Sequence, residues 1–154
     1  RVELLTIEGY RITTVITNDS LLRLGLKVGR LITAEVKAPW VMLQKMDNEP
    51  ECSTDNIFNG TVERIKPGEI NTEYVVRISD GTKVCSIVTS ESNRLLKLGE
   101  GDKVWVLFNS VSVVLLSDCS GCFYRYRDLR RDTKEDHFSP AIRCTASALN
   151  EATI

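Results

Sequence analysis

The block Thr17-Asn18-Asp19-Ser20 returns as Thr89-Ser90-Glu91-Ser92, an offset of 72 residues. The same offset pairs Gly9 with Gly81, Leu26 with Leu98, Gly29 with Gly101, Lys37 with Asn109, Val41 with Val113 and Leu43 with Leu115. One ungapped register therefore runs from about residue 2 to residue 44 of the first copy. A repeat of this kind constrains the fold more than any single motif, because both copies must adopt one local architecture.

Each copy reads as short strands around one helical turn. Residues 75–78 and 83–88 are β-rich runs separated by Ser79-Asp80-Gly81, and Asp-Gly is a strong hairpin signal. The first copy has Glu8-Gly9 at that point. Hydroxyl residues ahead of leucines in Thr89-Ser90-Glu91-Ser92-Asn93-Arg94-Leu95-Leu96 predict a capped short helix, and Gly99 and Gly101 stop it. Two strands follow, residues 104–108 and 111–116. A further strand, residues 60–65, precedes the second copy and closes with Lys66-Pro67-Gly68. Five short strands and one helical turn fit a small closed barrel of the OB type, which leaves no exposed sheet edge. The fold expected is all-β with short helical turns: two tandem OB-like five-stranded barrels, the first lacking its opening strand. The domains read as a first repeat over 1–46, a linker over 47–52, a second repeat over 53–117 and a tail over 118–154.

Composition narrows the function. Twenty basic and 21 acidic residues leave a net charge of −1, without the basic excess of a nucleic-acid binder. Five cysteines, an odd number at irregular spacing, argue against a secreted disulfide framework. Cys119-Ser120-Gly121-Cys122 has ligand-like spacing but no second such pair, and His137 is the one histidine, so two spare thiols on a turn is the plainer reading. No apolar run approaches the roughly 20 residues of a membrane span. The opening Arg1-Val2-Glu3-Leu4-Leu5 lacks the parts of a signal peptide, so a cytoplasmic location is expected. The chain opens inside a strand pattern, as a fragment would. Neither a Gly-rich phosphate loop nor a nucleophile motif is visible, and a non-enzyme is expected.

Glu35-Val36-Lys37-Ala38-Pro39-Trp40-Val41 resembles the Lys-Ala-Pro-Trp-Val signature of molbindins and of ModE-type molybdate-responsive transcriptional regulators. Ser53-Thr54-Asp55-Asn56-Ile57-Phe58-Asn59-Gly60-Thr61-Val62 is similar to that family's Ser-Ala-Arg-Asn-x-x-x-Gly-x-Val opening, and the Thr-x-x-Ser pairs complete the pattern. The resemblance covers residues 2–117, about three quarters of the chain. It implies a molybdate or tungstate ligand, no organic cofactor, and sites at subunit interfaces of a homo-oligomer. Carried over residue by residue, it implies Thr17, Ser20, Lys37 and Ala38 in the first copy. In the second it implies Ser53, Asn56, Thr89, Ser92, Asn109 and Ser110. The residue chemistry agrees: hydroxyls at i and i+3 opening a helical turn converge on one point, and a lysine adds a charge-assisted donor. Taken singly, Thr17 and Ser20 also fit a plain helix cap, Lys37 a solvated strand end, and Trp40 a core or interface residue.

Two departures set the copies apart. Asn109 replaces the lysine of the first copy, and Asp55 stands where the family opening has arginine, so the second site is expected to be weaker. Phe108-Asn109 with Ser112-Val113 resembles the second repeat of the regulators, which favours a sensor domain whose DNA contacts lie in a segment outside this chain. A stand-alone molbindin for molybdate storage is the alternative, and an OB-type single-strand binder ranks below both. In the tail, the aromatic and basic residues 123–131 are interrupted by acids, as in a charged helix or linker. Thr145-Ala146-Ser147-Ala148-Leu149-Asn150 echoes Ser53 to Asn56, which suggests the missing strand near 145–154, permuted or swapped.

Overall fold

The computed structural model describes residues 1–6, 9–79 and 81–117, together with the backbone of 140–150. The first copy contributes β1 (Val2–Thr6), β2 (Arg11–Thr14), helix α1 (Asn18–Leu24), β3 (Leu31–Lys37) and β4 (Met42–Lys45). The second contributes β5 (Asn56–Pro67), β6 (Asn71–Ile78), β7 (Lys83–Thr89), α2 (Ser90–Leu96), β8 (Lys103–Phe108) and β9 (Val114–Leu116). The tail adds β10 (Pro140–Asn150). Alternation of buried and half-exposed residues in β1 and β3 turns Val2, Leu4, Ile32, Ala34 and Val36 inward. Gly9 and Gly81 serve the tight turns at positive φ, 94° and 90°.

These strands form two antiparallel five-stranded sheets, in the orders β2-β1-β10-β3-β9 and β4-β8-β5-β6-β7. The all-β reading with short helical turns holds. The sequence boundary between repeats is not the boundary between sheets, however. β4 pairs with β8 and β9 pairs with β3, so the last strand of each copy is exchanged into the other sheet. The exchange keeps one register: Leu43 faces Val106 as Leu115 faces Ala34.

Its physical cause lies between the strands. After Lys37 the chain makes a 3-10 turn, Ala38–Trp40, with Pro39 in its first turn, and leaves through an extended Val41. After Asn109 it does the same through Ser110–Ser112 and an extended Val113. Neither segment has a glycine at positive φ to fold the strand back as a hairpin, so both run on into the other sheet. Reciprocal bonds fasten the crossing: Thr14 Oγ1 donates to the Val113 carbonyl at 3.3 Å, and Ser86 Oγ to the Val41 carbonyl at 2.6 Å.

β10 lies between β1 and β3, the position β5 holds between β6 and β8. Its register repeats that of β5. Ile142 faces Val36 as Asn56 faces Phe108, and Ala146 faces Thr6 as Gly60 faces Ile78. A bulge near Leu149 matches the one near Glu63. The Ser-x-x-Asn echo ending at Asn150 is therefore out of step with Ser53–Asn56, because pairing on both edges sets the register and puts Ile142 in the place of Asn56. Cys119, Cys122, His137 and residues 123–131 lie outside the described residues.

One continuous apolar core joins the sheets. Phe58 of β5 meets Tyr10 of the first copy edge-on at 5.4 Å and stacks on Phe108 at 5.6 Å. Such aromatic contacts add to the area buried and tie the copies into one folding unit.

Candidate oxyanion site

The two Thr-x-x-Ser pairs adopt the same geometry. Thr17 caps α1: its Oγ1 accepts from the Ser20 backbone N–H at 3.1 Å and donates to Ser20 Oγ at 3.0 Å. Thr89 caps α2 with the same two bonds to Ser92, at 3.1 and 3.0 Å. The capping reading and the binding reading are thus compatible. Each threonine spends its proton on the neighbouring serine, which leaves the serine hydroxyl proton directed elsewhere and polarised by the bond it accepts. Thr17 and Thr89 are exposed, and Ser20 and Ser92 half-buried.

Strand exchange regroups the remaining expected residues. The turn that begins with Ala38 packs on β7, the strand leading into Thr89, while the turn that begins with Ser110 packs on β2, the strand leading toward Thr17. The Val15 N–H donates to the Ser110 carbonyl at 3.2 Å. The turn that follows Lys37 thus lies against the second-copy strand that leads into Thr89, and the turn that follows Asn109 against the first-copy strand that leads toward Thr17. The grouping of Thr17, Ser20, Lys37 and Ala38 as one first-copy set is not what the fold produces. Ala38 and Ser110 are buried, while Lys37 and Asn109 are exposed at the two crossings. The Lys37 ammonium lies 5.5 Å from the Trp40 ring centroid, which steers it by a cation–π contact. Trp40 is 45% exposed and so is not a core residue of this chain.

The opening segment divides. Ser53 is exposed on the bend before β5. Asn56 is buried and committed elsewhere: its Oδ1 accepts from the Thr13 N–H at 2.8 Å and its Nδ2 donates to the Thr13 carbonyl at 2.9 Å. It acts as a side-chain strand partner for β2, a structural staple between the two sheets. Beside it, Thr54 Oγ1 is buried without a hydrogen-bond partner among the described residues.

An open cleft of about 600 Å³ lies against the first hydroxyl pair, lined by Thr17, Ser20 and Arg23 on one side and by Val113 to Leu115 and Ser117 on the other. Its far wall is the exchanged arm of the second copy. Arg23 was not among the residues expected from sequence, although its place one turn beyond Ser20, in Thr-x-x-Ser-x-x-Arg, was the available signal. Its Nη2 lies 3.5 Å from Ser20 Oγ, and its Nε pairs with Asp19 at 3.2 Å. Hydroxyl donors and a cation on one cleft wall fit a tetrahedral dianion, whose oxygens only accept.

Comparison with known proteins identifies the family. The TOBE domain model matches residues 2–43 and 52–115, so the chain belongs to the TOBE-domain family and carries that domain twice. Among relatives, the chain is 34% identical over 111 residues to the transcriptional regulator ModE of Yersinia pestis, covering 71% of this chain and 41% of that one. It is 31% identical over 114 residues to the molybdenum-pterin-binding protein MopA of Rhodobacter capsulatus, covering 74% and 43%. The chain thus spans about two fifths of the length of these relatives. Among solved structures it is similar to the cytoplasmic molybdate-binding protein ModG with molybdate bound, at a TM-score of 0.69 and 33% identity, covering 73% of this chain and 80% of that one. Among the described residues, no helix is long and apolar enough to cross a membrane.

Proposed function

We propose that this chain is a non-catalytic molybdate- or tungstate-binding domain, the ligand-sensing part of a molybdenum-responsive regulator. The observation that carries the reading is the hydroxyl pair made twice with the same geometry, each beside a crossing arm from the other copy. A dianion held by serine protons and backbone donors, with Lys37 as the cation of one site, needs neither a metal nor an organic cofactor. The ligand positions proposed are Thr17, Ser20, Asn109 and Ser110 at one site, and Thr89, Ser92, Lys37 and Ala38 at the other, with the exposed Ser53 as a further donor. Cytoplasmic location, a homo-oligomer that completes the sites between subunits, and DNA contact through another segment belong to the same reading. Storage by a stand-alone protein is the second reading, supported by the 80% coverage of ModG.

A ligand that binds only the folded state raises stability by about 2.7 kcal/mol at a hundredfold excess over its dissociation constant. Molybdate and tungstate are expected to raise the melting temperature. Lys37→Ala should reduce the shift, and Thr17→Ala with Thr89→Ala should abolish it. No shift with either anion overturns the proposal. A mass measurement with and without ligand tests the oligomer, and DNA binding by the longer protein that turns on molybdate separates sensing from storage.

A further inference from the structure

We infer that Arg23 is the cation of the Thr17–Ser20 cleft, replacing the lysine lost at Asn109, so that the two oxyanion sites of this chain are charged by different routes. The inference rests on the anion-binding reading above and deepens it. On the second-copy side the cation is carried by the crossing arm, as Lys37 at the start of the turn that packs on β7, and the helix carries Leu95 at the position of Arg23. At the first pair the arm that packs on β2 starts from a neutral Asn109 and lines the cleft with Val113 to Leu115, and the helix itself carries the charge as Arg23. Each pair thus keeps one cation although neither keeps both. Arg94 of α2 does not duplicate the arrangement, since it lies two residues from Ser92, and residues two apart do not share a helix face.

Arg23 is three residues beyond Ser20, on the face that lines the cleft, with its guanidinium already at 3.5 Å from the serine hydroxyl. A guanidinium presents a planar fork of donors that can engage two oxygens of one tetrahedral anion, where an ammonium gives a single point of charge. Asp19 holds the guanidinium from the solvent side at 3.2 Å. The carboxylate therefore orients Arg23 and at the same time opposes a dianion. Affinity at this site is then set by a competition between Asp19 and the ligand for one guanidinium.

The test is calorimetric titration of the whole chain with sodium molybdate at low ionic strength, with thermal melts to report folding. In a Lys37→Gln background, which removes the other cation, Arg23→Gln should weaken the remaining binding by about tenfold or more, the scale of one charge-assisted hydrogen bond. Adding Asn109→Lys to that double variant should restore it, because the lysine returns by the crossing arm. Asp19→Asn in the Lys37→Gln background should tighten binding. Arg23→Gln that leaves molybdate binding unchanged overturns the inference, as does failure of Asn109→Lys to restore binding in a variant that still melts cooperatively. A wild-type chain that takes up no molybdate overturns the anion-binding reading itself, and this inference with it.

Discussion

In the first copy the hydroxyl pair opens a helix that ends at Gly25, in the left-handed region at φ 56°, and that carries Arg23 toward the cleft. In the second copy the same pair opens a helix that ends at Lys97, also left-handed at φ 48°, and that carries Leu95 there. The second helix is tied down by the buried Tyr74, whose hydroxyl donates to Asn93 Oδ1. The corresponding first-copy residues, Val2 and Leu21, are apolar. The caps are alike to a tenth of an ångström, whereas charge, helix stop and anchoring have diverged. The cap geometry is what both copies need in order to fold. The charges around it can vary without unfolding either copy, so function can drift apart there.

The largest effect should come from the Asn56 staple that ties β5 of one sheet to β2 of the other, where β10 has Ile142 at the matching register position. Asn56→Ala leaves the Thr13 N–H and carbonyl without their side-chain partner, and an orphaned buried group costs roughly 1–3 kcal/mol. A loss of about 2 kcal/mol or more by urea denaturation is expected. A loss of only a few tenths would mean that β2 is held by its other contacts. Next come the caps, since Thr17→Ala and Thr89→Ala should each cost about 1 kcal/mol. The two are expected to differ in coupling: Tyr74→Phe should deepen the effect of Thr89→Ala and leave that of Thr17→Ala unchanged in a double-mutant cycle. Additivity at both positions would show that the tyrosine does not anchor α2.

The helix stops give a smaller and oppositely signed pair. Lys97→Gly relieves a non-glycine residue at positive φ and should stabilise by about 0.5–1 kcal/mol. Gly25→Ala should destabilise, because an L side chain is strained at φ 56°, and its Cβ would also displace the Arg30 guanidinium that donates to the Gly25 carbonyl at 2.7 Å. Equal and small changes at both sites would mean that the left-handed stop carries no strain in either copy.

Much of this was legible in the residues. The offset of 72 located the strands, helices and caps of both copies, because local propensity and turn chemistry act within a few residues. The exchange of β4 and β9 was not, since sheet partnership is a non-local choice. Its nearest trace is negative: between Lys37 and Met42, and between Asn109 and Val114, no glycine or Asn-Gly offers a reversal. Sequence alone groups Lys37 with Thr17 and Ser20, whereas the exchange sends the turn that follows it onto β7 of the second copy. The bonds from Asn56 to Thr13 are hidden for a related reason, because a motif position does not say which backbone its amide will meet. Arg23 needs only the i, i+3 spacing from Ser20, but a salt bridge to Asp19 at i, i+4 is the commoner explanation for such an arginine.

The smallest expected effect concerns the bulge shared by the two opening strands. In β5 the bulge residue Glu63 is clamped by Lys83 at 2.9 Å and Arg77 at 3.0 Å, while Leu149 holds the corresponding register position in β10. The hydrogen bonds from Lys83 and Arg77 hold the Glu63 carboxyl below its usual value of 4.5. A carboxyl depressed in the folded state contributes stability that is present above its unfolded pKa and is lost as pH falls through the folded one. The wild-type chain should therefore lose a small increment of stability below about pH 4.5, which Glu63→Gln should lack in urea melts across that range. The increment must be small, because the pair is open to solvent and screened by it. It should also shrink in high salt. An acid limb identical in Glu63→Gln and wild type would mean that the backbone bulge holds itself, charged or not, as its counterpart at Leu149 has to do without a carboxylate.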